Sequence, residues 1–374
     1  MSEWKKVRLG EIANYVNEKI DIKAFDTSLY ISTDSMLKDK GGIGTPESIP
    51  ESGKVTKYQH NDILVSNIRP YFKKIWFSNR EGGCSNDVLV FRANDNIDST
   101  FLYYVLSDDS FFDHIMSSAN GTKMPRGNRK LIPSFEINLP PLSTQHRIAT
   151  ILSRYDSLIE NYQKQIKLLE EAAQRLYKEW FIDLRFPGHE NTKIVDGVPE
   201  GWEKMKVGEL IAKVPRSKQI PTKDYQKKGV IPIIDQSRDY IAGYTDDMES
   251  KVKSNEPYIV FGDHTRVLKF VPFPFAKGAD GTQLIMSNNL DLMPQCLLFT
   301  SLVSVDLSNY SYARHFKYLK EEEILVPTAS IANAFSKHVA KWYAKIQLNR
   351  EQLRILTEAR DRLLPKLMNG EIAV

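Results

Sequence analysis

The stretch Trp4-Lys-Lys-Val-Arg-Leu-Gly-Glu-Ile12 occurs a second time, in altered form, as Trp202-Glu-Lys-Met-Lys-Val-Gly-Glu-Leu210. Trp, Lys, Gly and Glu recur at an offset of 198 residues, and the apolar positions stay apolar. A second pair, Glu136-Ile-Asn-Leu-Pro140 and Glu323-Ile-Leu-Val-Pro327, recurs at an offset of 187 and continues through the apolar positions of two long helical segments. This pattern predicts a tandem duplication.

Two inserts lie between the repeated stretches, residues 17 to about 130 and 216 to about 318, and they do not resemble each other. The change of offset makes the second insert 11 residues shorter. Strand-like runs at 62–66 and 258–261, mixed with helical patterns, predict a compact α/β or α+β domain in each insert. A constant frame with two different inserts suits a protein with one mechanical task and two recognition surfaces.

Two long helices are predicted at residues 143–182 and 329–364, because apolar or small residues alternate there at steps of four and three. Neither helix can bury its apolar stripe alone, and the nearest partner of similar length is the other copy. We therefore expect an antiparallel coiled coil with one domain at each end, arranged as an internal pseudo-twofold repeat. The residues predicted to pack in this helix pair are Leu152, Tyr155, Ile159, Leu169, Trp180, Trp342, Ile346, Asn349, Leu356, Leu363 and Leu367.

Asn349 and Arg360 interrupt the seam of the second helix. A polar residue at a seam position costs stability but can fix the register and the partner of a helix. Two interpretations of Asn349 stay open: it specifies the partner helix, or it lies at the wet edge of an imperfect seam.

The pattern along the chain predicts five segments. They are a first domain at 1–142, the first long helix at 143–182, a linker rich in glycine and proline at 183–201, a second domain at 202–328, and the second long helix with a tail at 329–374.

The composition is that of a globular protein: 374 residues, 41% of them hydrophobic, with a formal net charge of +4. This charge is too small to identify a nucleic-acid binder by itself. Cys84 and Cys296 fall one in each insert, so neither a disulfide framework nor a metal site is expected. No apolar run has the length of a membrane span and the first residues lack the apolar core of a secretory signal, so we expect a cytoplasmic protein without membrane association.

Sequence motifs of common catalytic sites are not found. The chain lacks the phosphate-binding, dinucleotide-binding, metalloprotease and nucleophile-elbow patterns, as well as the Asn-Pro-Pro-Tyr loop of adenine methyltransferases. The triplet Glu249-Ser-Lys251 lacks the upstream Pro-Asp of a nuclease. Asp263 beside His264 suggests acid/base work, but no nucleophile accompanies them, and a polar turn that contacts a partner or braces its own loop is the better interpretation.

Local clusters of cations and aromatic residues favour nucleic-acid binding. Such clusters occur at 69–76 and 123–130 in the first insert, and at 213–228 and 310–317 in the second. Lysine and arginine bind phosphates, and arginine also reads guanine edges. The residues predicted to bind DNA are Arg69, Tyr71, Lys73, Lys74, Lys123, Arg126, Arg129 and Lys130 in the first insert, and Asp263, His264, Thr265, Arg266, Lys269, Thr282, Arg314, His315 and Lys317 in the second.

At this point the chain resembles a known family, the specificity subunits of type I restriction-modification systems. The resemblance spans nearly the whole chain. Its motifs are the two openings at Trp4 and Trp202, Asn61-Asp-Ile-Leu-Val-Ser-Asn-Ile-Arg69, Gly262-Asp-His-Thr-Arg266 with Gly278-Ala-Asp-Gly-Thr282, Arg314-His-Phe-Lys-Tyr-Leu319, and Leu363-Leu-Pro-Lys-Leu-Met-Asn-Gly-Glu371. One departure concerns the glutamine usual near a helix start, which is present as Gln145 but replaced by Ala332 in the second copy.

The resemblance implies two target-recognition domains, each reading one half of a bipartite double-stranded DNA sequence, with the paired helices as a ruler. It implies no catalytic residue and no cofactor in this chain. The implied partners are modification subunits, two of them, which use S-adenosylmethionine to methylate adenine, and a translocating restriction subunit.

The leading hypothesis is therefore a non-catalytic DNA-specificity subunit. Two alternatives stay open: a self-sufficient DNA methyltransferase or nuclease, and a coiled-coil adaptor that binds only proteins. Because the inserts differ, the leading hypothesis predicts an asymmetric target with a gap of constant length and half-sites about 10 base pairs apart, centre to centre.

Overall fold

The computed structural model describes residues 4–121, 123–253, 255–278, 280–310 and 314–374. The chain divides into two compact units. The first contains the residues up to Glu160 together with Leu353–Val374, and the second contains Asn161–Gln352. Each long helix therefore contributes one part to each unit. The boundaries predicted at residues 142 and 328 lie at the starts of these helices and do not divide them. None of the described helices combines the length and the apolar character needed to cross a membrane.

The first unit is built from short strands and helices. Its strands are β1 (Lys5–Arg8), β2 (Ala13–Tyr15), β3 (Lys19–Asp21), β4 (Lys54–Tyr58), β5 (Ile63–Ser66), β6 (Ile75–Phe77), β7 (Gly82–Cys84), β8 (Val88–Ala93) and β9 (Glu136–Leu139). Its short helices are α1 (Leu9–Ile12), α2 (Ser99–Ser107) and α3 (Asp109–Ser117). An antiparallel sheet has the order β2-β8-β5-β6, and a second sheet has the order β3-β4-β7.

Strand β8 is buried on both faces. Its side chains alternate between two clusters: Leu89 and Phe91 pack with the helices α2 and α3, whereas Val88 and Val90 pack with Leu64. Successive side chains of a strand point to opposite faces, so a strand covered on both sides has a continuous apolar sequence.

The second unit contains more strands. They are β10 (Ile194–Val195), β11 (Val198–Pro199), β12 (Glu203–Lys206), β13 (Ile231–Ile234), β14 (Gly243–Thr245), β15 (Lys251–Val252), β16 (Tyr258–Gly262), β17 (Leu268–Val271), β18 (Phe275–Lys277), β19 (Thr282–Ile285) and β20 (Glu323–Val326). One sheet has the order β14-β13-β18-β15, in which β13 and β18 run parallel, and another has the order β17-β16-β19.

Three further helices complete the second insert and the start of its frame. The first long helix, α4, spans Leu142–Tyr177. The three that follow it are α5 (Val207–Leu210), α6 (Gln295–Ser304) and α7 (His315–Glu321). Strand β16 repeats the pattern of β8, with Ile259 and Phe261 in one cluster and Val260 in another. Both units are mixed helix and sheet, and the predicted fold class is confirmed.

The repeated sequence stretches pair with each other inside each unit. Strand β1 runs antiparallel to β9 with Val7 opposite Ile137, and β12 runs antiparallel to β20 with Met205 opposite Ile324. Applying the offset of 198 to Val7 and the offset of 187 to Ile137 gives the second pair. The two ribbons therefore have the same register.

The Gly-Glu pair of the repeated opening has a structural role in both copies. The backbone N–H of Arg8 donates to Glu11 Oε1 at 3.1 Å, and that of Lys206 donates to Glu209 Oε2 at 3.2 Å, so each glutamate caps a short helix. A Cβ at Gly208 would lie 3.1 Å from the carbonyl oxygen of Lys320, so a side chain there would crowd the neighbouring backbone.

The first long helix, α4, is followed by a π-helical turn at Lys178–Ile182, and the second, α8, spans Ala329–Met368. The end predicted at residue 364 is wrong by one turn, because α8 continues through Pro365. Proline removes the hydrogen bond to the carbonyl of Asp361, which is exposed and can be hydrated. The fully buried Leu367 gains packing from the extra turn.

The helices pair antiparallel within each unit. In the second unit Gln165 contacts Asn349, and farther along α4 the ring of Trp180 lies 5.8 Å from that of Phe335, near the start of α8. In the first unit Arg360 Nη1 donates to Asp156 Oδ1 at 2.7 Å. Trp180 and Leu367 pack at helix ends that belong to different units.

The predicted packing residues differ in burial. Leu152, Ile159, Trp180, Ile346, Asn349 and Leu367 are buried, whereas Tyr155, Leu169, Trp342, Leu356 and Leu363 are half-buried. Asn349 is fully buried, so the interpretation that it lies at a wet edge is wrong. Its Nδ2 donates to Gln165 Oε1 at 3.1 Å, and its Oδ1 has no hydrogen-bond partner among the described residues.

Candidate nucleic-acid interface

The two cationic stretches predicted in the first insert lie side by side. The backbone N–H of Arg69 donates to the carbonyl of Pro125 at 2.8 Å, and Ile68 forms a β-bridge with Arg126. The structure therefore brings 69–74 and 123–130 together into one surface, although about 50 residues of sequence separate them. We call this surface the first loop pair.

Backbone conformation positions the first of these loops. Arg69 and Lys73 flank a short 3-10 turn that begins at Pro70, and both have positive φ, 50° and 49°. A left-handed conformation costs a residue other than glycine about 1 to 3 kcal/mol. The turn's own hydrogen bonds, from the Phe72 N–H to the carbonyl of Arg69 and from the Lys73 N–H to that of Pro70, support this conformation, and the hydrogen bond from Arg69 to Pro125 ties the turn to the second loop.

Several cations of the first loop pair are already engaged by the protein. Lys73 Nζ lies 2.7 Å from Asp109 Oδ2, and Lys74 Nζ donates to the carbonyl of Thr33 at 2.6 Å. Burial lowers the pKa of Lys74. Arg126 lies 3.2 Å from Asp87, and Arg129 donates to the carbonyl of Asn86.

The exposed members of the loop pair are Tyr71, Lys123, Arg126, Arg129 and Lys130. They present cations and one aromatic ring to solvent, the combination that phosphates and base edges require. Lys73 and Lys74 are half-buried and hold the loop in place. Whether these side chains contact DNA stays a prediction.

Two residues of this surface were not predicted. Lys19 Nζ donates to Asn86 Oδ1 at 2.6 Å and so joins the group around Arg129, and Lys38 Nζ lies 4.2 Å above the ring of Phe72. Both come from distant strands and loops. Because each lies outside the two cationic stretches predicted in the first insert, no local pattern places it on this surface.

The turn Gly262–Arg266 of the second insert is braced from below by Asp263. Its Oδ1 accepts a hydrogen bond from the backbone N–H of Phe316 at 2.8 Å, and its own carbonyl lies 2.9 Å from His315 Nδ1. Asp263 is buried, and its carboxylate accepts from a backbone N–H rather than from the imidazole of the adjacent His264. It therefore braces its own loop, the better of the two interpretations made from sequence.

Gln236, which the sequence did not single out, holds this turn from the other side. Its Oε1 accepts from the backbone N–H of His264 at 3.2 Å, and its Nε2 donates to the carbonyl of Asp280 at 2.9 Å. Its carbonyl accepts from Thr265 Oγ1 at 2.6 Å. One side chain thus fixes two loops, and His264, Thr265 and Arg266 remain exposed.

Four residues predicted to bind DNA in the second insert are buried, which corrects the expectation that they line an accessible surface. They are Asp263, Lys269, Thr282 and His315. Lys269 is the clearest example, since its side chain is 3% exposed and its Nζ donates to the carbonyl of Asp239. Arg314 and Lys317 are exposed, while residues 311–313 of the same predicted stretch lie outside the described residues.

The four buried residues lie in different local settings: Lys269 and Thr282 are in strands, His315 begins α7, and Asp263 lies in the turn after β16. Lys269 follows Leu268 in β17, and its charge lies 3.8 Å from Asp235 Oδ1. Burial lowers the pKa of Lys269 to about 8. A sequence pattern of alternating cations and aromatics does not show which of these residues faces the interior.

Comparisons with known proteins agree with this architecture. Residues 1–171 match the model of the type I restriction modification DNA specificity domain. The type I restriction enzyme MjaIX specificity subunit of Methanocaldococcus jannaschii is 29% identical over 75% of this chain and 70% of its own length. The type I restriction enzyme HindI specificity subunit of Haemophilus influenzae is 24% identical over the full length of both chains.

A solved structure shares the fold. The type I restriction-modification S subunit from M. genitalium superimposes with a TM-score of 0.62 at 17% sequence identity, covering 98% of this chain and 96% of that one. Together with the sequence relatives and the duplicated frame, this defines the class as a two-domain recognition protein on paired helices. Residues 1–171 therefore contain a type I restriction modification DNA specificity domain, and most of the chain is similar to specificity subunits of type I restriction enzymes.

Proposed function

We propose that this chain is the DNA-specificity subunit of a type I restriction-modification complex. Each unit reads one half of an asymmetric bipartite target in double-stranded DNA, and the paired helices set the gap between the halves. The observation that carries the proposal is the register shared by the ribbons β1-β9 and β12-β20, because it gives two unlike inserts the same attachment to the helices.

The surfaces of the two inserts support recognition of different bases. The first unit presents Arg126, Arg129 and Lys130 on the first loop pair, and the second presents His264 and Arg266 on a turn held by a glutamine. Arginine and histidine side chains on braced loops suit base-edge and phosphate contacts. Since the two sets differ in composition and in backbone support, their half-sites should differ in sequence.

Catalysis is assigned to partner subunits. In this proposal two modification subunits bind S-adenosylmethionine and methylate adenine, a restriction subunit translocates and cuts DNA, and this chain contributes no catalytic residue or cofactor. The buried Asp263 supports this division, because its carboxylate, which beside His264 suggested acid/base work, accepts a hydrogen bond from the backbone N–H of Phe316.

The test is to map methylated adenines in a genome that carries this chain with its modification subunits. We expect one bipartite motif with two unlike halves and a gap of constant length. Replacing Arg126 and Arg129 by glutamine should relax or abolish only one half of the motif, and replacing His264 and Arg266 should affect only the other. Methylation at scattered sites without a gapped motif, or the same effect from both variants, would contradict the proposal.

A further inference from the structure

A wide basic groove lies in the second unit, apart from the turn at 262–266. Its volume is about 790 Å³. Its walls come from the residues after α5, from β18 and β19, and from α7, and the four cations among them are Lys213, Arg216, Lys277 and Lys320. Among the described residues that line it, none is acidic.

The groove divides the basic run predicted at 213–228 into two parts. Lys213 and Arg216 line the groove, whereas Lys218 turns away and lies 2.8 Å from Asp247 and 3.2 Å from Glu249. The carboxylates of this region thus neutralise the one cation of residues 213–218 that lies outside the groove. Within the described parts of the chain, the four groove cations form no ion pair.

Lys320 is held in place by a neighbouring aromatic ring. Lys320 Nζ lies 5.4 Å above the ring of Phe316, which in turn packs against Phe261 at 6.0 Å. Gly208 permits the close approach of α5 to the backbone of Lys320. This contact joins the helix that precedes Lys213 to the helix that carries Lys320.

Lys277 is half-buried at the end of β18 without a counter-charge. Burial lowers its pKa, since desolvation disfavours the charged form and no neighbouring carboxylate compensates. The hydroxyl of Ser217, also in the groove wall, is buried and has no hydrogen-bond partner among the described residues. Unpaired buried charge and an unsatisfied hydroxyl both destabilise a free protein, and an anion with acceptor oxygens would satisfy both.

We propose that this groove binds the phosphodiester backbone of the DNA beside the second half-site. The inference rests on the proposed function, since it supplies the phosphate contacts that position the second unit while the turn at 262–266 reads bases. A groove this large holds more than one phosphate, and its four cations and the Ser217 hydroxyl match the charge and acceptor oxygens of a sugar-phosphate strand.

The first experiment measures binding of the full chain, in complex with its modification subunits, to a duplex that contains the mapped target, over a range of salt concentrations. The double variant Lys213→Gln/Arg216→Gln is compared with the control Lys193→Gln/Lys204→Gln, which removes the same charge from exposed positions of the same unit. We expect the slope of log K against log salt to fall in magnitude by about 2 for the groove variant and to stay unchanged for the control. The preferred bases should not change, because phosphate contacts carry no sequence information.

The second variant, Lys277→Gln, separates a ligand-binding role from a structural one. Removing an uncompensated half-buried charge should raise the melting temperature of the free protein, whereas loss of a phosphate contact should weaken binding to DNA. A lysine needed only for folding would lower both quantities, and that result would overturn the proposal.

Two other results would also overturn it: equal salt slopes for the groove and control variants, or unchanged DNA binding by Lys277→Gln. A wild-type complex that binds all duplexes equally would instead contradict the proposed function. In that case the slopes of log K against log salt, measured for the groove and control variants with any duplex, still test whether the groove binds phosphates.

Discussion

Gln145 lies near the start of α4, and Ala332 occupies the corresponding position of α8. Gln145 Oε1 accepts from the backbone N–H of Asp98, the N-cap of α2, at 3.0 Å, and its Nε2 donates to the carbonyl of Pro140 at 3.0 Å. In the second unit the N-cap of α6 is Pro294, which has no N–H to satisfy. The change from glutamine to alanine at the long helix is therefore accompanied by a change from Asp98 to Pro294 at the N-cap. The fully buried Ala332 fits a site where the N-cap has no N–H to donate.

A similar exchange occurs about three helical turns farther along each long helix. Tyr104 donates to Asp156 of α4 at 2.5 Å in the first unit, and Thr300 shares a hydrogen bond with Tyr343 of α8 at 3.0 Å in the second. Asp156 and Tyr343 correspond at the offset of 187. Both units thus have a polar contact between a helix of the insert and the long helix. The tyrosine of this contact belongs to the insert helix in the first unit and to the long helix in the second.

Lys269 provides a prediction of pH dependence. Burial lowers its pKa to about 8, whereas an unfolded lysine has a pKa of about 10.4. Between these values the unfolded chain binds more protons, so the contribution of Lys269 to stability rises with pH over this window and is constant below it. We expect Lys269→Met to have a higher free energy of unfolding than the wild type at pH 7. The difference between the two proteins should narrow between about pH 8 and 9.5.

The measurement is urea unfolding of both proteins across this pH range, with the exposed Lys227→Met as a control. Ionisation of the buried tyrosines affects all three proteins alike and cancels in the differences. Parallel pH profiles for wild type and Lys269→Met would show that the lysine is not held at a lowered pKa.

At the scale of elements, the two polar interruptions of the α8 seam should respond differently to an apolar substitution. Asn349 leaves Oδ1 without a partner among the described residues, and an unsatisfied buried acceptor costs about 1 to 3 kcal/mol. We expect Asn349→Leu to raise the free energy of unfolding of the second unit. Arg360→Leu should lower that of the first unit, because Asp156 loses a charged hydrogen bond of about 1.5 to 3 kcal/mol.

Urea unfolding gives the net change for each variant, and hydrogen exchange of the helix amides assigns it to a unit. If Asn349 instead stabilises the pair through its bond to Gln165, the leucine variant will unfold at lower urea concentration. Increased exchange across α8 in the leucine variant, despite higher stability, would indicate that the asparagine also fixes the register.

The elements that sequence predicts best are those with local or repeated signals. The long helices follow from their heptad pattern, and the ribbons β1-β9 and β12-β20 coincide with the duplicated motifs. The sheets of the inserts are not predictable in the same way, because pairings such as Ile233 with Ala276 join distant residues in parallel. For the same reason the first loop pair and the bracing role of Gln236 depend on long-range contacts that no sequence spacing encodes.

At the scale of the whole molecule, α4 and α8 each pass through both compact units, so a change in helix length alters how the recognition domains are joined. We predict that inserting one heptad near Lys164, with a matching heptad near Asn349, changes the length of the gap in the DNA target while each half-site keeps its bases. Methylation mapping checks this. A variant that reads new bases with the old gap would contradict the role of the helices as a ruler.

The shared register of the ribbons β1-β9 and β12-β20 also has a consequence for inheritance. Homologous recombination between genes of this kind can cross over within the coding sequence of these ribbons and exchange one insert for a foreign one. Because the hybrid protein keeps every backbone pairing of the frame, only the contacts that the insert makes with side chains such as Gln145 and Asp156 of the long helix need to be matched. Under the proposed function, such an exchange would give the host a new DNA specificity in a single genetic event.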